Sequence, residues 1–305
     1  MTDTGTPMSP SFALAAAVVL AGPSADSASI GNLGHPLPLR FADAQLTTGI
    51  RIRYAEQGDP RGHPVILLHG YSDSWFSFSR VLPLLSPKYH VYALDLRGHG
   101  DSDRPDGGYH MRDLAADVLA FMDAERLARV TVVGHSMGSI VAQQLALAAP
   151  ERIARLVLVA SVDVPSRSPA LAELSTTVRT LTDPVPVEFV REFQTSTIYR
   201  PVPDEFVDQA VAESRKLPAR VWRGLMDGML ATGPATALGE SAIPTLVLWG
   251  DRDATFSRAE QDGLVGMIGT AELGVYPGTG HAVHWEEPER FVRDLHGFMA
   301  RTSSY

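Results

Sequence analysis

Cysteine is absent from all 305 residues. That excludes disulfides, thiolate catalysis and zinc held by cysteine sulfur, and it removes any redox clue to compartment. Positive charge is sparse and scattered. Against 35 Asp and Glu stand 26 Lys and Arg, giving a net charge of −9, and no basic cluster marks the chain for a nucleic-acid backbone. Long apolar runs are missing as well: Phe12 to Gly22 is too short to span a bilayer. No internal repeat or low-complexity array occurs. What is present is ordinary for a globular enzyme, with 45% hydrophobic and 20% charged residues, which argues against disorder and allows a substantial buried core.

The apolar run at Phe12, followed by small residues as far as Ala28, has the form of a signal-peptide core and cleavage zone. The segment before it carries Asp3 and no Lys or Arg, whereas a secretory leader starts positively charged. The expectation is therefore a cytoplasmic protein with an N-terminal extension over residues 1–40. Export through an atypical signal around Phe12–Ala28 is the alternative.

After Phe41 the chain alternates strand-like and helix-like segments. "IRIRYAEQG" alternates apolar and polar residues and reads as a half-exposed edge strand. "HPVILLHG", "YHVYALDL", "RVTVVGH", "IARLVLVAS" and "IPTLVLWGD" are continuous apolar runs, the pattern of strands buried on both faces. Helical patterns lie between them, at Met111 to Arg126 and Met137 to Ala149. This order predicts a parallel sheet covered by helices on both faces, with ligands bound beyond the carboxyl ends of the strands. The rhythm breaks over residues 163–240, where amphipathic patches such as "VEFVREFQ" and "RVWRGLMDGML" are separated by Pro-rich turns. The simplest organisation is one core, residues 41–162 and 241–305, interrupted by a helical cap.

Gly134-His135-Ser136-Met137-Gly138 fits G-x-S-x-G directly after a buried strand and directly before a helix. That context exposes a serine at a sharp turn where only glycines fit beside it. A serine hydroxyl needs a base, and the base needs an orienting carboxylate. Asp251 and Asp253 follow the strand "TLVLWG", and His281 sits in a Gly-rich loop before the last helix. His284 flanks that helix and reads as structural. Backbone N–H groups of Tyr71, after "LLHG", and of Met137 are the expected donors for a developing oxyanion.

With these motifs in place ("HG" at His69, "LDLRGHGDSDRP", "GHSMG", "WGDRD", "GHAVHWEEPE"), the chain resembles the α/β-hydrolase superfamily from Leu46 to Ala300. The resemblance implies an α/β fold with an eight-stranded, mostly parallel sheet and a lid inserted after the sixth strand. It implies Ser136 as nucleophile and His281 as base, and it selects Asp253 over Asp251 as the acid; Asp163 is the position some relatives use instead. Arg97 and His99 are expected to stabilise their loop. Epoxide hydrolases and haloalkane dehalogenases carry Asp where this chain has Ser136, and the former draw on two cap tyrosines where the cap here offers Tyr199.

The expected activity is a serine hydrolase cleaving carboxylic esters or lactones of small to medium apolar substrates, through an acyl-enzyme and without metal or organic cofactor. The alternatives are a carbon–carbon bond hydrolase, a cofactor-free haloperoxidase or perhydrolase, and a slow-turnover ligand receptor. The expected partner is a small-molecule ester, with neither nucleic acid nor stable membrane insertion, and a monomer is the default. Trp75, Phe189, Phe193, Trp222 and Met226 are the expected substrate contacts, with Ile198, Phe206 and Met229 as further apolar residues of the cap.

Overall fold

The computed structural model describes residues 38–301. The signal-like segment, and with it the choice between cytoplasm and export, lies outside the described residues. Among the described residues no helix is long and apolar enough to cross a membrane.

Eight strands form one sheet: β1 (Arg40–Gln45), β2 (Arg51–Gly58), β3 (His63–Leu68), β4 (Tyr89–Leu94), β5 (Val130–His135), β6 (Ile153–Val159), β7 (Thr245–Gly250) and β8 (Ala271–Tyr276). Their spatial order is β1-β2-β4-β3-β5-β6-β7-β8. The first two pairings, β1 with β2 and β2 with β4, are antiparallel, and all the others are parallel. The apolar runs are continuous because the central strands pack on both sides. In β3, Ile66 and Leu68 face one core while Val65 and Leu67 face the other. Alternating side chains of one strand thus feed two layers.

The first core is closed by α1 (Met111–Ala124) and α2 (Met137–Ala148), through Leu114, Phe121, Ile140 and Leu145. Between β6 and β7 come four further helices: α3 (Pro169–Thr180), α4 (Val187–Ser196), α5 (Asp204–Ser214) and α6 (Ala219–Leu230). Their apolar faces, including Val178, Val190, Val211 and Leu225, join this same core. The chain then adds α7 (Arg258–Met267), whose start is fixed by a capping box between Ser257 and Glu260. It ends with the short α8 (Val283–Glu286) and α9 (Pro288–Arg301), which covers the second core through Phe291, Leu295 and Phe298.

One sequence expectation needs correcting. Arg51–Gly58 is the second strand of the sheet, because Arg40–Gln45 pairs along its outer side and takes the edge. The alternating pattern of "IRIRYAEQG" reflects one face turned from the core rather than an unpaired margin. The true edge, "RFADAQ", is mostly exposed and has too little apolar character to stand out.

Candidate active site

Ser136 is the single residue between β5 and α2. Its backbone is at φ 51°, ψ −117°, a left-handed conformation costly for a residue with a side chain. The surroundings hold it there. Its N–H donates to Val159 O of β6 at 2.9 Å, and its carbonyl accepts from Ser139 N–H at 2.9 Å. The flanking glycines are required by close approach. A Cβ on Gly134 would lie 2.3 Å from Gly138 O, and one on Gly138 would lie 2.3 Å from Leu68 O and 2.5 Å from His69 O. The first turn of α2 is therefore pressed against the carbonyl end of β3. Met137 opens α2, so its N–H belongs to the set without an intrahelical acceptor, at the positive end of the helix.

Asp253 and His281 arrive from the loops after β7 and β8. Asp253 Oδ1 accepts the N–H groups of Thr255 at 2.7 Å and Phe256 at 3.1 Å, which leaves Oδ2 for His281 Nδ1 at 2.8 Å. Both side chains are buried. Because a carboxylate only accepts, the imidazole proton belongs on Nδ1 and Nε2 is left with its lone pair. Asp251 is occupied elsewhere: its Oδ1 accepts Gly278 N–H at 2.6 Å and ties the two loops together. Asp163 accepts Val164 N–H and faces Arg167.

Ser136 and His281 border the same cavity, of about 20 Å³, roughly the room one water needs. From the loop after β3 come Gly70, Tyr71 and Asp73, and from the last position of β5 comes His135; from α4 and its C-terminal turn come Phe193, Gln194 and Thr197; Trp285 of α8 completes the wall. Of the five residues expected to touch substrate, Phe193 is in this wall. Trp222 stands behind it, its ring edge-on to Tyr71, Phe189 and Phe193 at 5.1–5.7 Å. Met226 is buried in the core. Trp75 packs against Phe41 at 4.8 Å, away from the cavity. Sequence reasoning missed Asp73, Gln194, Thr197, His135 and Trp285. Asp73, within "HGYSDSW", His135, within "GHSMG", and Trp285, within "GHAVHWEEPE", lay in motifs that could have drawn notice, whereas Gln194 and Thr197 did not.

The sequence model described as "alpha/beta hydrolase fold" matches residues 63–288. The chain belongs to the α/β-hydrolase family. An uncharacterised protein of Mycobacterium tuberculosis is 29% identical over 267 residues, covering 79% of this chain and 76% of its own. The soluble epoxide hydrolase of Corynebacterium sp. is 38% identical over 97 residues, covering 32% of this chain and 33% of its own. Among solved structures, the esterase RhEst1 from Rhodococcus sp. ECU1013 is similar with a TM-score of 0.78 at 25% identity, over 86% of this chain and 99% of that one.

Around the cavity of this α/β hydrolase, burial governs the titrating groups. It pushes His69 down to about 4 and His284 down to about 3, and it drives His135 and His99 well below the ordinary imidazole value. These rings are neutral at physiological pH. Asp73 moves the other way: burial raises it from 3.8 to about 6, against hydrogen bonds from Gln194, Ser77 and Gly70. The helices between β6 and β7 are tied to this floor by polar contacts. Tyr71 OH donates to Trp222 O at 2.6 Å, and Gln194 Nε2 donates to Asp73 Oδ1 at 2.9 Å and to Ser214 Oγ at 2.7 Å.

Proposed function

We propose that this α/β hydrolase cleaves carboxylic esters, lactones included, through an acyl-enzyme on Ser136. The reading rests on one observation above all: the Asp253–His281 hydrogen bond of 2.8 Å, beside a cavity that His281 shares with Ser136. In the first half-reaction Ser136 Oγ attacks the ester carbonyl while His281 Nε2 takes its proton. Asp253 holds the ring in the required tautomer and stabilises the imidazolium. The oxyanion accepts hydrogen bonds from the N–H groups of Met137 and Tyr71. On collapse, His281 returns the proton to the departing alcohol. Water then enters, gives its proton to His281, attacks the acyl carbonyl, and the carboxylic acid leaves Ser136 with its hydroxyl restored.

Residues 163–240 act as the cap in this reading. Support comes from the cavity wall, to which α4 contributes Phe193 and Gln194. The similarity to an epoxide hydrolase spans about a third of the chain, and opening an epoxide through a carboxylate nucleophile would need an acid where Ser136 stands. Labelling with a fluorophosphonate followed by peptide mapping tests the proposal. Modification of Ser136 in the folded protein is the expected outcome. Turnover of p-nitrophenyl esters that survives Ser136→Ala would remove the serine from the mechanism.

A further inference from the structure

We infer that Glu286 is a positioning residue that clasps the connection between α4 and α5 to the loop carrying His281. Through it, the segment inserted between β6 and β7 aims the base at Ser136. The inference rests on the ester-hydrolase reading for the role of His281. The clasp itself is built from groups that take no part in the acyl transfer.

Glu286 ends α8, and its side chain reaches back to the loop before that helix. Gly280 N–H donates to Glu286 Oε1 at 2.9 Å and to Oε2 at 3.1 Å. The same two oxygens accept Tyr199 N–H at 3.1 Å and Arg200 N–H at 2.7 Å. Tyr199 and Arg200 lie between α4 and α5, so one carboxylate joins two segments distant in the chain. All three partners are donors, which the ionised carboxyl satisfies, and such charge-assisted bonds are stronger than those between neutral groups. Arg200 returns the grip. Its Nε donates to Gly278 O at 2.7 Å, its Nη2 donates to Pro277 O at 2.8 Å, and its Nη1 pairs with Glu287 at 3.1 Å. The junction is close-packed as well: a Cβ on Gly280 would lie 2.8 Å from both Glu286 Oε1 and Tyr199 N.

The clasp matters because of where it holds the chain. Asp253 fixes the tautomer of His281 through one hydrogen bond to Nδ1. A single bond lets a ring swing about it, so the place of Nε2 depends on the backbone that carries the ring. That backbone is held on both sides of His281 from the α4–α5 connection. Before His281, Gly280 N–H is held through Glu286; after it, Ala282 N–H donates to Thr197 O at 3.1 Å. Thr197 also borders the cavity, so the cavity wall and the base are set by one group of contacts. A misplacement of about 1 Å at a reacting group can cost about 100-fold in rate. Removing the Glu286 carboxylate takes the acceptor from three N–H groups and frees the Gly280 side of the base.

Hydrolysis of p-nitrophenyl acetate tests this, with kcat counted per Ser136 titrated to completion by a fluorophosphonate, so that unfolded protein drops out. Glu286→Ala should lower kcat by about 10- to 100-fold and slow the labelling of Ser136 in step, with KM within about threefold of wild type. Glu286→Gln keeps one acceptor oxygen and should recover part of both losses. Arg200→Ala removes the reciprocal grip and should show a smaller loss of the same kind. Combined with Glu286→Ala, it should cost less than the two single losses together, because both act on one junction. Amide hydrogen exchange reads the clasp without activity. In Glu286→Ala, peptides holding residues 197–200 and 277–282 should exchange faster together, with α9 unchanged. That joint change in a protein whose wild type neither turns over esters nor labels at Ser136 would sink the hydrolase reading and leave the clasp standing. The clasp would be overturned by an unchanged kcat per titrated site in Glu286→Ala, or by a loss confined to KM. Glu286→Gln no better than Glu286→Ala, or faster exchange in one of the two segments alone, would overturn it equally.

Discussion

Asp253 and Asp73 are both buried carboxyls within reach of the cavity, yet their surroundings give them opposite characters. Asp253 is matched to an imidazole and two backbone N–H groups. Asp253→Asn should lower kcat toward esters by a factor on the order of 10³–10⁴ while leaving the fold intact, because the amide favours the wrong His281 tautomer; steady-state kinetics beside circular dichroism would check this. Asp73 is raised from 3.8 to about 6 by burial, so folding favours its protonated form. The sign follows from linkage: the unfolded chain releases this proton near pH 4 and the folded chain near pH 6, so this group's contribution to stability declines between those values and is flat above. The decline amounts to about 3 kcal/mol at most. Urea midpoints measured against pH should show Asp73→Asn gaining on the wild-type protein between pH 4 and pH 6, and a gap independent of pH would contradict it. The sequence singled out Ser136, Asp253 and His281 as candidates because their motifs are local. It was silent on Gln194 and Thr197, whose neighbours in the cavity lie far along the chain and whose types carry no signal of their own.

At the level of elements, legibility followed burial. Strands β3 to β7 were readable because both faces are covered and the apolar runs are unbroken. The edge strands β1 and β8 were not, since "RFADAQ" and "AELGVY" are largely exposed or half-buried and mix polar with small residues. The interrupting helices were visible as a break, while their individual contacts were not: Trp222 and Met226 satisfy the packing of α6 before they could satisfy a ligand. Two predictions belong here. Arg97 grips Asp117 of α1 with Nε and Nη2, both at 2.6 Å, and Asp117 is buried. Arg97→Ala strands that carboxylate and should cost about 3–5 kcal/mol of stability by chemical denaturation. Gly138→Ala puts a methyl group against two backbone carbonyls, so it should destabilise the protein by roughly 1–3 kcal/mol or more and lower activity further than stability. An unchanged melting point would show that α2 is less tightly seated than its contacts indicate.

Across the whole molecule, the sheet divides two cores, and the helices between β6 and β7 belong to the larger one. Nothing about them is a separate body on a tether. Residues 38–301 should therefore unfold in one transition, with far-UV dichroism and tryptophan fluorescence coinciding; an early fluorescence phase from Trp222 would indicate that α6 parts from the sheet first. The cavity of about 20 Å³ also limits reach. Phe193→Ala should raise kcat/KM for esters of longer acids relative to acetate esters, as a chain-length series would record.

The serine and its two partners are also separated in time. Ser136 sits at the end of β5, whereas Asp253 and His281 follow β7 and β8, so the base is translated about 145 residues after the nucleophile. At roughly 5–20 residues per second, that is an interval of about 7–30 seconds. During it the growing chain has its serine but no imidazole to activate it. On the proposed mechanism, a nascent or truncated chain is inert toward esters until its final strand has emerged, and the ribosome releases the activity all at once rather than by degrees.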